Sequence, residues 1–334
     1  MLGVAVIGAG NWGKNLVRNF ASLKGVQLKY VCDLDQKARD AMSRLYPRAT
    51  VTDDIFKALG DRDVAAAIVA VDVPRHYEVA RRCLEAGKHT YVEKPLTLTG
   101  DDSRKLKELA EAKGLKLMVG HLLEYHPAVD YMKQAIRTGE VGRPLYLYCQ
   151  RLNLGVVRQT ENAWWSLAPH DISVVCYLFD AEPVGISASG HAYLQNGIED
   201  VVFANMKFAD GRMAHIHVSW LDPHKIRKVT LVGSNKMVVF DDMEALEKIR
   251  VYDKSAQVKP GVESYAEAIT LRTGNILIPN IPGGEPLGAE CQHFVDAIVN
   301  DTTPRSDAAD GLRVVKVLEA GSRSLANGGL PVDL

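Results

Sequence analysis

Long hydrophobic runs are missing from this sequence. Across its 334 residues the longest near-continuous apolar stretch, Val64 to Val71, has the length of a strand and falls well short of a membrane span. An excess of either charge is missing too. The 40 Lys and Arg residues stand against 41 Asp and Glu, a net charge of -1, which argues against bulk electrostatic affinity for nucleic acid or an anionic membrane. Cysteine is sparse, odd in number and scattered: Cys32, Cys83, Cys149, Cys176 and Cys291. No Cys-x-x-Cys pair or Cys/His cluster at zinc spacing occurs, so neither a disulfide framework nor a thiolate metal site is indicated. The chain enters an apolar strand at once, without a basic segment or a small-residue cleavage site, so no secretion signal and a cytoplasmic location are expected. What is present is a 47% hydrophobic fraction on a length that suits two domains with large cores.

The first third alternates short apolar runs with helical patterns. Val4–Ile7, Leu28–Cys32, Ala65–Val71, Thr90–Val92 and Lys116–Val119 read as strands. Helical patterns fill 10–23, 36–46, 76–86 and 101–113 between them. Apolar strands separated by helices predict a parallel sheet covered on both faces. After about Leu123 the rhythm changes. One helix, Pro127–Arg137, precedes strands at 145–152, 184–194, 201–208, 213–220, 228–233 and 236–240, several joined by hairpin signals such as Ala209-Asp210-Gly211 and Gly233-Ser234-Asn235. Successive strands without helices predict a mainly antiparallel sheet. A Pro279–Gly284 loop and two amphipathic helices, 289–300 and 310–326, close the chain. The expected division is a doubly wound Rossmann domain over 1–122 and an α+β domain over 123–334, with a C-terminal helix packing back on the first.

Gly8-Ala9-Gly10-Asn11-Trp12-Gly13 follows the first strand and opens the first helix. Alone, such a hexapeptide is only a tight turn. In this context Gly8 and Gly10 permit the turn and a close approach of backbone to a pyrophosphate, and Gly13 permits close helix packing. The helix N-terminus adds backbone donors and the positive end of a dipole. Asp33, twenty residues on at the end of the second strand, would accept hydrogen bonds from the adenine-ribose hydroxyls and repel a 2′-phosphate. The expected cofactor is therefore NAD rather than NADP.

Glu93-Lys94-Pro95 lies at a carboxyl edge of the parallel sheet, where such sheets bind ligands. With the glycine fingerprint some 80 residues upstream, the triplet resembles the Gfo/Idh/MocA oxidoreductase family. Val119-Gly120-His121 before Tyr125-His126-Pro127 is similar to that family's domain junction. Glu285-Pro286-Leu287, Gln292-His293-Phe294, Pro304 and Leu318-Glu319-Ala320 are similar to its C-terminal region. The resemblance spans essentially the whole chain. It implies that Lys94 points toward the nicotinamide, that His170 completes the acid–base machinery, and that the Lys94–Pro95 peptide is cis in the manner of relatives. The chemistry is sound without the analogy. Oxidising a secondary alcohol removes the hydroxyl proton as hydride leaves carbon; an imidazole can take that proton at neutral pH and an ammonium can hold the developing alkoxide. Which of the two is the formal base is open at this point.

A finer resemblance lies in Arg151-Leu152-Asn153-Leu154-Gly155, Arg158, Asn162 and Trp164 through Ser173. It is similar to the sugar-nucleotide branch of the family, acting at the 3-position of UDP-linked N-acetylhexosamine uronates. That resemblance implies Asn153, Arg158, Asn162, Trp164, Lys94 and His170 as substrate contacts, and Asn11, Trp12, His76 and Glu93 as cofactor contacts beside the glycines and Asp33. Two departures stand out. Ser166 occupies a position where many members carry Asp four residues before the His, leaving Asp171 as the neighbouring acid. Val71-Asp72 replaces a frequent Thr-Pro. Trp164 and Trp165 fit a core role equally well, and the polar set fits a solvated strand-to-loop segment.

His121, His126, His293 and Glu290 make no recognisable metal motif, and no metal is expected. His215 and His217 share one sheet face and suit surface or subunit packing. In relatives the open sheet face is covered by another subunit, so a homodimer or homotetramer is expected. The resulting expectation is an NAD-dependent dehydrogenase acting on the C3 hydroxyl of a sugar nucleotide such as UDP-N-acetylglucosaminuronate. A free-sugar or inositol dehydrogenase, a 3-ketosugar reductase and a catalytically silent NAD-binding regulator are the alternatives.

Overall fold

A computed structural model describes residues 1–258 and 269–334. Two compact units make up the chain: Met1–Tyr125 with Gly284–Lys316, and His126–Gly283 with Val317–Leu334. Residues 284–316, late in sequence, thus belong to the first unit.

In the first unit β1 (Leu2–Ile7), β2 (Val26–Cys32), β3 (Thr50–Thr52), β4 (Ala66–Val69), β5 (His89–Glu93) and β6 (Leu117–Gly120) form a parallel sheet in the order β3-β2-β1-β4-β5-β6. Val4, Ala5 and Val6 of β1 and all of β4 have no exposed surface, as expected of strands covered on both faces. The helices between them are α1 (Gly13–Ser22), α2 (Gln36–Leu45), α3 (Ile55–Gly60), α4 (His76–Glu85) and α5 (Gly100–Ala112). Local chemistry starts them: the side chain of Asp35 accepts from Lys37 N and that of Thr99 from Asp102 N, satisfying orphan amides of α2 and α5. α8 (Pro286–Val299) returns to this unit, and its Phe294 meets Phe20 of α1 and Tyr91 of β5 edge to face, with ring centroids 6.4 and 5.9 Å apart.

The strand order reverses between β1 and β4, and register aligns Ile7 with Val69, Val69 with Val92, and Glu93 with Gly120. The residues that follow, Gly8, Ala70, Lys94 and His121, therefore share one carboxyl edge at a topological switch point, where open α/β sheets take their ligands.

The second unit contains α6 (Pro127–Arg137), β7 (Pro144–Leu152), α7 (Ala163–Phe179) and β8 (Pro183–His191). After these come β9 (Val201–Phe208), β10 (Met213–Ser219), β11 (Ile226–Gly233), β12 (Met237–Asp241), β13 (Ile249–Val258), β14 (Ile269–Leu277) and β15 (Val332–Asp333). The sheet order is β14-β13-β12-β11-β7-β10-β9-β8-β15. Among the described strands of this second sheet only the β7–β10 pairing is parallel, so the sheet is mixed and mostly antiparallel. The hairpins expected at 209–211 and 233–235 join β9 to β10 and β11 to β12. The last long helix, α9 (Ala308–Ala326), contains the division between the units, at Lys316/Val317.

Leu147, Cys149 and Arg151 of β7 point to the buried face, against α7. The other face presents Tyr146, Tyr148, Gln150, Met213, His215, His217, Asn205 and Phe203 in register. There His217 stacks on Phe203 at 4.3 Å and His215 bonds Asn205 Oδ1 at 2.9 Å. Tyr146, Phe203 and Met213 are each more than 40% exposed. No helix among the described residues is long and apolar enough to cross a membrane.

Candidate active site

The glycine turn is built for a close approach. Gly8 has φ +94°, a conformation that side chains resist, and a Cβ there would lie 2.4 Å from Ala70 O. A Cβ on Gly13 would lie 2.1 Å from Gly8 O, whereas one on Gly10 would meet nothing within 4 Å. Gly10 thus faces open space with its backbone bare, and Asn11 beside it is exposed. At the end of β2, Asp33 receives Ala9 N–H on Oδ2 at 2.6 Å and Asp35 N–H on Oδ1 at 2.8 Å. Its carboxylate is thereby fixed against the turn, with lone pairs left over for further donors. This set fits a dinucleotide: Gly8, Gly10 and Gly13 would cradle the pyrophosphate and Asp33 would hold the ribose.

Trp12, at the start of α1, donates its indole N–H to Glu93 Oε1 at 2.5 Å. Glu93 Oε2 accepts the Lys94 backbone N–H at 3.2 Å. The acid of the Glu93-Lys94-Pro95 triplet therefore ties the glycine turn to the end of β5. The Lys94–Pro95 peptide is cis, and Lys94 is half-buried. Its ammonium acts on both Glu93 and His76.

His76 differs from its expected cofactor contact. The side chain is 1% exposed and its ring nitrogens face Pro95 O at 2.8 Å and Val71 O at 3.0 Å. Burial first, then the Lys94 charge, lowers its pKa; a ring with a single N–H donates to one of the two carbonyls, and only the doubly protonated ring donates to both. The geometry makes His76 a brace for the turn that carries Lys94.

In the second unit His170 lies in the middle of α7, half-buried, one residue after Pro169. Its carbonyl accepts the Ser173 hydroxyl at 3.0 Å. Asp171, the neighbouring acid, is 1% exposed and commits both oxygens to Arg151, Nε at 2.8 Å and Nη2 at 3.1 Å. It therefore anchors α7 to β7. Asn162 caps α7, accepting Trp165 N–H at 3.1 Å and donating to Glu199 Oε2 at 2.6 Å. Asn153 is half-buried at the end of β7 and Arg158 is exposed.

Trp164 requires a correction. The resemblance placed it against substrate, but it has no exposed surface. Its Nε1–H goes to Leu318 O at 3.0 Å and its ring fills the space where Gly321 lacks a side chain. It is a core residue clamping α7 to the end of α9.

A second buried group in the first unit was not assembled from sequence. Tyr91 Oη lies 3.3 Å from Glu93 Oε1 and 3.0 Å from Glu290 Oε2. Nearby, His121 Nδ1 lies 2.6 Å from Asp310 Oδ2 and 3.5 Å from Glu124 Oε1, and Arg313 donates to Asp310 Oδ1 at 3.2 Å. Burial alone would lower the His121 pKa, but Asp310 and Glu124 outweigh it and push it up to about 10. Burial first, then Asp310, pushes Glu124 up to about 8. The three donors lie within 4.8 Å of one another. Tetrahedral ligands on bonds of about 2.0–2.1 Å would stand about 3.3 Å apart, so the 2.6 Å contact and the guanidinium on the same carboxylate describe an ion cluster. The available signal was Glu290 itself: with Leu287, Cys291 and Phe294 it occupies the i, i+3, i+4, i+7 stripe of α8, an acid in an apolar face.

Residues 2–121 match the GFO/IDH/MocA oxidoreductase family, NAD-binding Rossmann fold, and residues 129–239 match the GFO/IDH/MocA C-terminal domain. The chain is 27% identical over 313 residues to a UDP-N-acetylglucosamine 3-dehydrogenase from Acidithiobacillus ferrooxidans, covering 93% of each chain. It is 26% identical over 338 residues to an inositol 2-dehydrogenase from Rhodococcus erythropolis, covering 98% of this chain and 94% of the relative. The solved structure of UDP-N-acetylglucosamine 3-dehydrogenase GnnA from A. ferrooxidans superposes with a TM-score of 0.84 at 22% identity, covering 98% of this chain and 99% of that one.

Proposed function

The chain belongs to the GFO/IDH/MocA family of NAD-dependent oxidoreductases acting on CH–OH groups, and from that premise we propose that it acts at C3 of a nucleotide-linked N-acetylhexosamine. The observation that carries the substrate reading is the end-to-end match to a UDP-N-acetylglucosamine 3-dehydrogenase. The uronate expected from the 151–173 segment is the less favoured version. A C6 carboxylate needs a cation, and the buried candidate Arg151 is already paired with Asp171 while exposed Arg158 pairs with Glu161. Inositol is the competing polyol, on the match to inositol 2-dehydrogenase.

Gly8, Gly10 and Gly13 hold the pyrophosphate and Asp33 the adenine ribose, in this reading. Bound NAD supplies the hydride acceptor. Lys94 and His170 handle the hydroxyl proton: the Lys94 side chain exchanges it with the C3 oxygen, and the imidazole of His170 hydrogen-bonds the same hydroxyl. Glu93, Trp12 and His76 position the Lys94 turn. Asn153, Arg158 and Asn162 remain proposed substrate contacts, Asn162 through the atoms its capping role leaves over. The apolar and aromatic residues on the open face of the second sheet support a homodimer or homotetramer formed through that face. The five cysteines are buried in hydrophobic surroundings rather than placed as a disulfide framework, which suits a reducing compartment.

The test is NADH formation from NAD with UDP-N-acetylglucosamine, UDP-N-acetylglucosaminuronate and myo-inositol, each also assayed in the presence of a keto acid. Turnover with UDP-N-acetylglucosamine, lost in Lys94→Ala with NAD binding retained, is the expected result. Turnover confined to myo-inositol would overturn the substrate reading. Undiminished turnover in Lys94→Ala would overturn the catalytic one.

A further inference from the structure

Glu93, Tyr91 and Glu290 form a buried chain whose atoms can be counted. Tyr91 is 0%, Glu93 8% and Glu290 1% exposed, and the Tyr91 hydroxyl lies within hydrogen-bond reach of both carboxyls. A phenol has one hydrogen. It can donate to one carboxylate; its contact with the other is attractive only if that carboxyl itself carries a proton. The pair therefore holds one proton across Tyr91.

The remaining donors say where that proton rests. Glu93 also receives the Trp12 indole N–H and the Lys94 backbone N–H, which stabilise an ionised carboxylate. Among the described residues Glu290 has only Tyr91 as a hydrogen-bond partner, and its Oε1 is buried without one, an arrangement costly for a carboxylate. In the resting arrangement Glu290 O–H donates to Tyr91 Oη, and Tyr91 O–H donates to Glu93. Burial also raises both carboxyl pKa values, Glu290 well above the ordinary range.

We propose that Glu290 is a buried proton store that exchanges one proton with the Lys94 turn through Tyr91 and Glu93. The inference rests on the reading of Lys94 as a proton-handling group. Bound NADH would supply the hydride for reduction of a keto sugar, and the Lys94 ammonium would give the new hydroxyl its proton. The chain then shifts by one proton: Glu290 gives its proton to Tyr91, Tyr91 gives its hydroxyl proton to the Glu93 carboxylate, and Glu93, so protonated, gives one to the Lys94 amine. One proton has moved and Glu290 ends as a carboxylate, whose charge the His121 cation offsets. Alcohol oxidation runs the same chain backward and refills the store. Tyr91 and Glu290 touch neither substrate nor coenzyme in this scheme and act through Glu93.

Infrared difference spectroscopy of the whole chain tests the store without turnover. At neutral pH the wild type should show a buried protonated-carboxyl C=O band that shifts in D2O, is lost in Glu290→Gln and moves in Tyr91→Phe, which keeps the ring packing against Phe20 and Phe294. In single-turnover reduction of the keto sugar, both variants should be slowed about 10–100-fold with the Kd for NADH unchanged, and the solvent isotope effect should change. A band that survives Glu290→Gln, or wild-type rates and isotope effects in both variants, overturns the proposal. If the wild type processes none of the sugars while the band is lost in Glu290→Gln, the store stands and the substrate reading fails.

Discussion

Arg151 and Asp171 stand 20 residues apart in sequence and meet as a buried two-point pair, Nε to Oδ2 at 2.8 Å and Nη2 to Oδ1 at 3.1 Å. The pair joins the end of β7 to the middle of α7, next to His170. Burial works against the Arg151 charge, but the Asp171 carboxylate outweighs it and raises the guanidinium pKa.

Removing one partner leaves the other charge buried alone. Arg151→Leu is expected to destabilise the second unit by about 3–5 kcal/mol, and the double variant Arg151→Leu/Asp171→Leu to recover much of that loss. Chemical denaturation followed by the tryptophan signal of Trp164 and Trp220 checks the order. A double variant weaker than the single would mean that the pair's hydrogen bonds, rather than its charge balance, hold α7.

The glycine turn separates folding from binding. Gly13→Ala drives a Cβ into Gly8 O, a backbone atom that cannot yield, so both melting temperature and NAD affinity should fall. Gly10→Ala meets nothing within 4 Å. It should leave the melting temperature within about 1 °C while weakening NAD at least tenfold, because the methyl occupies the bare backbone that the pyrophosphate approaches. Calorimetric titration beside a thermal melt distinguishes the two. Undiminished NAD affinity in Gly10→Ala would place the pyrophosphate elsewhere.

Much of the first unit could be read in advance because its signals are local. Gly8, Gly10, Gly13 and Asp33 announce themselves by spacing after apolar strands. α7 escaped because it is apolar nearly all round and carries Pro169 inside, so it shows neither an amphipathic period nor a clean boundary. β14 escaped because all nine of its residues are exposed and no alternation marks a buried face. The roles of Trp164 and of the acid clusters depend on partners far along the chain. Trp164 meets Leu318 at a separation of 154 residues, Tyr91 meets Glu290 at 199, and His121 meets Asp310 at 189. Periodicity carries no information on such pairings.

Asp33 sets coenzyme choice by charge. Asp33→Ser removes a carboxylate that would accept the ribose hydroxyls and repel a 2′-phosphate. Hydrogen bonds to a charged acceptor are worth about 1.5–3 kcal/mol, so NAD should bind about 10–100-fold more weakly while NADP binds no worse or better. Fluorescence titration with NADH and NADPH reads the ratio. A variant that keeps its preference for NADH would show that another group makes the selection.

The buried His121–Glu124–Asp310 cluster ties stability to pH with a defined sign. His121 rises from 6.5 to about 10 in the folded protein, so its contribution is complete below pH 6.5 and is lost as pH climbs toward 10. Glu124 rises from 4.5 to about 8; the folded state holds its proton where the unfolded chain has released it, and this share is lost between pH 4.5 and 8. Asp310 is lowered from 3.8, and its share is lost only in acid. From pH 6.5 to 8 His121 and Glu124 act in the same direction, and the raised carboxyls of Glu93 and Glu290 add to them. The melting temperature of the wild type should therefore fall across that interval. In Glu124→Gln, whose amide can still donate to Asp310, the decline should be shallower, the remainder being carried by His121 and the raised carboxyls of Glu93 and Glu290. Parallel melting curves for the two proteins from pH 4.5 to 8 would show that Glu124 is ionised in both states, and the proton assigned to this cluster would have to reside elsewhere.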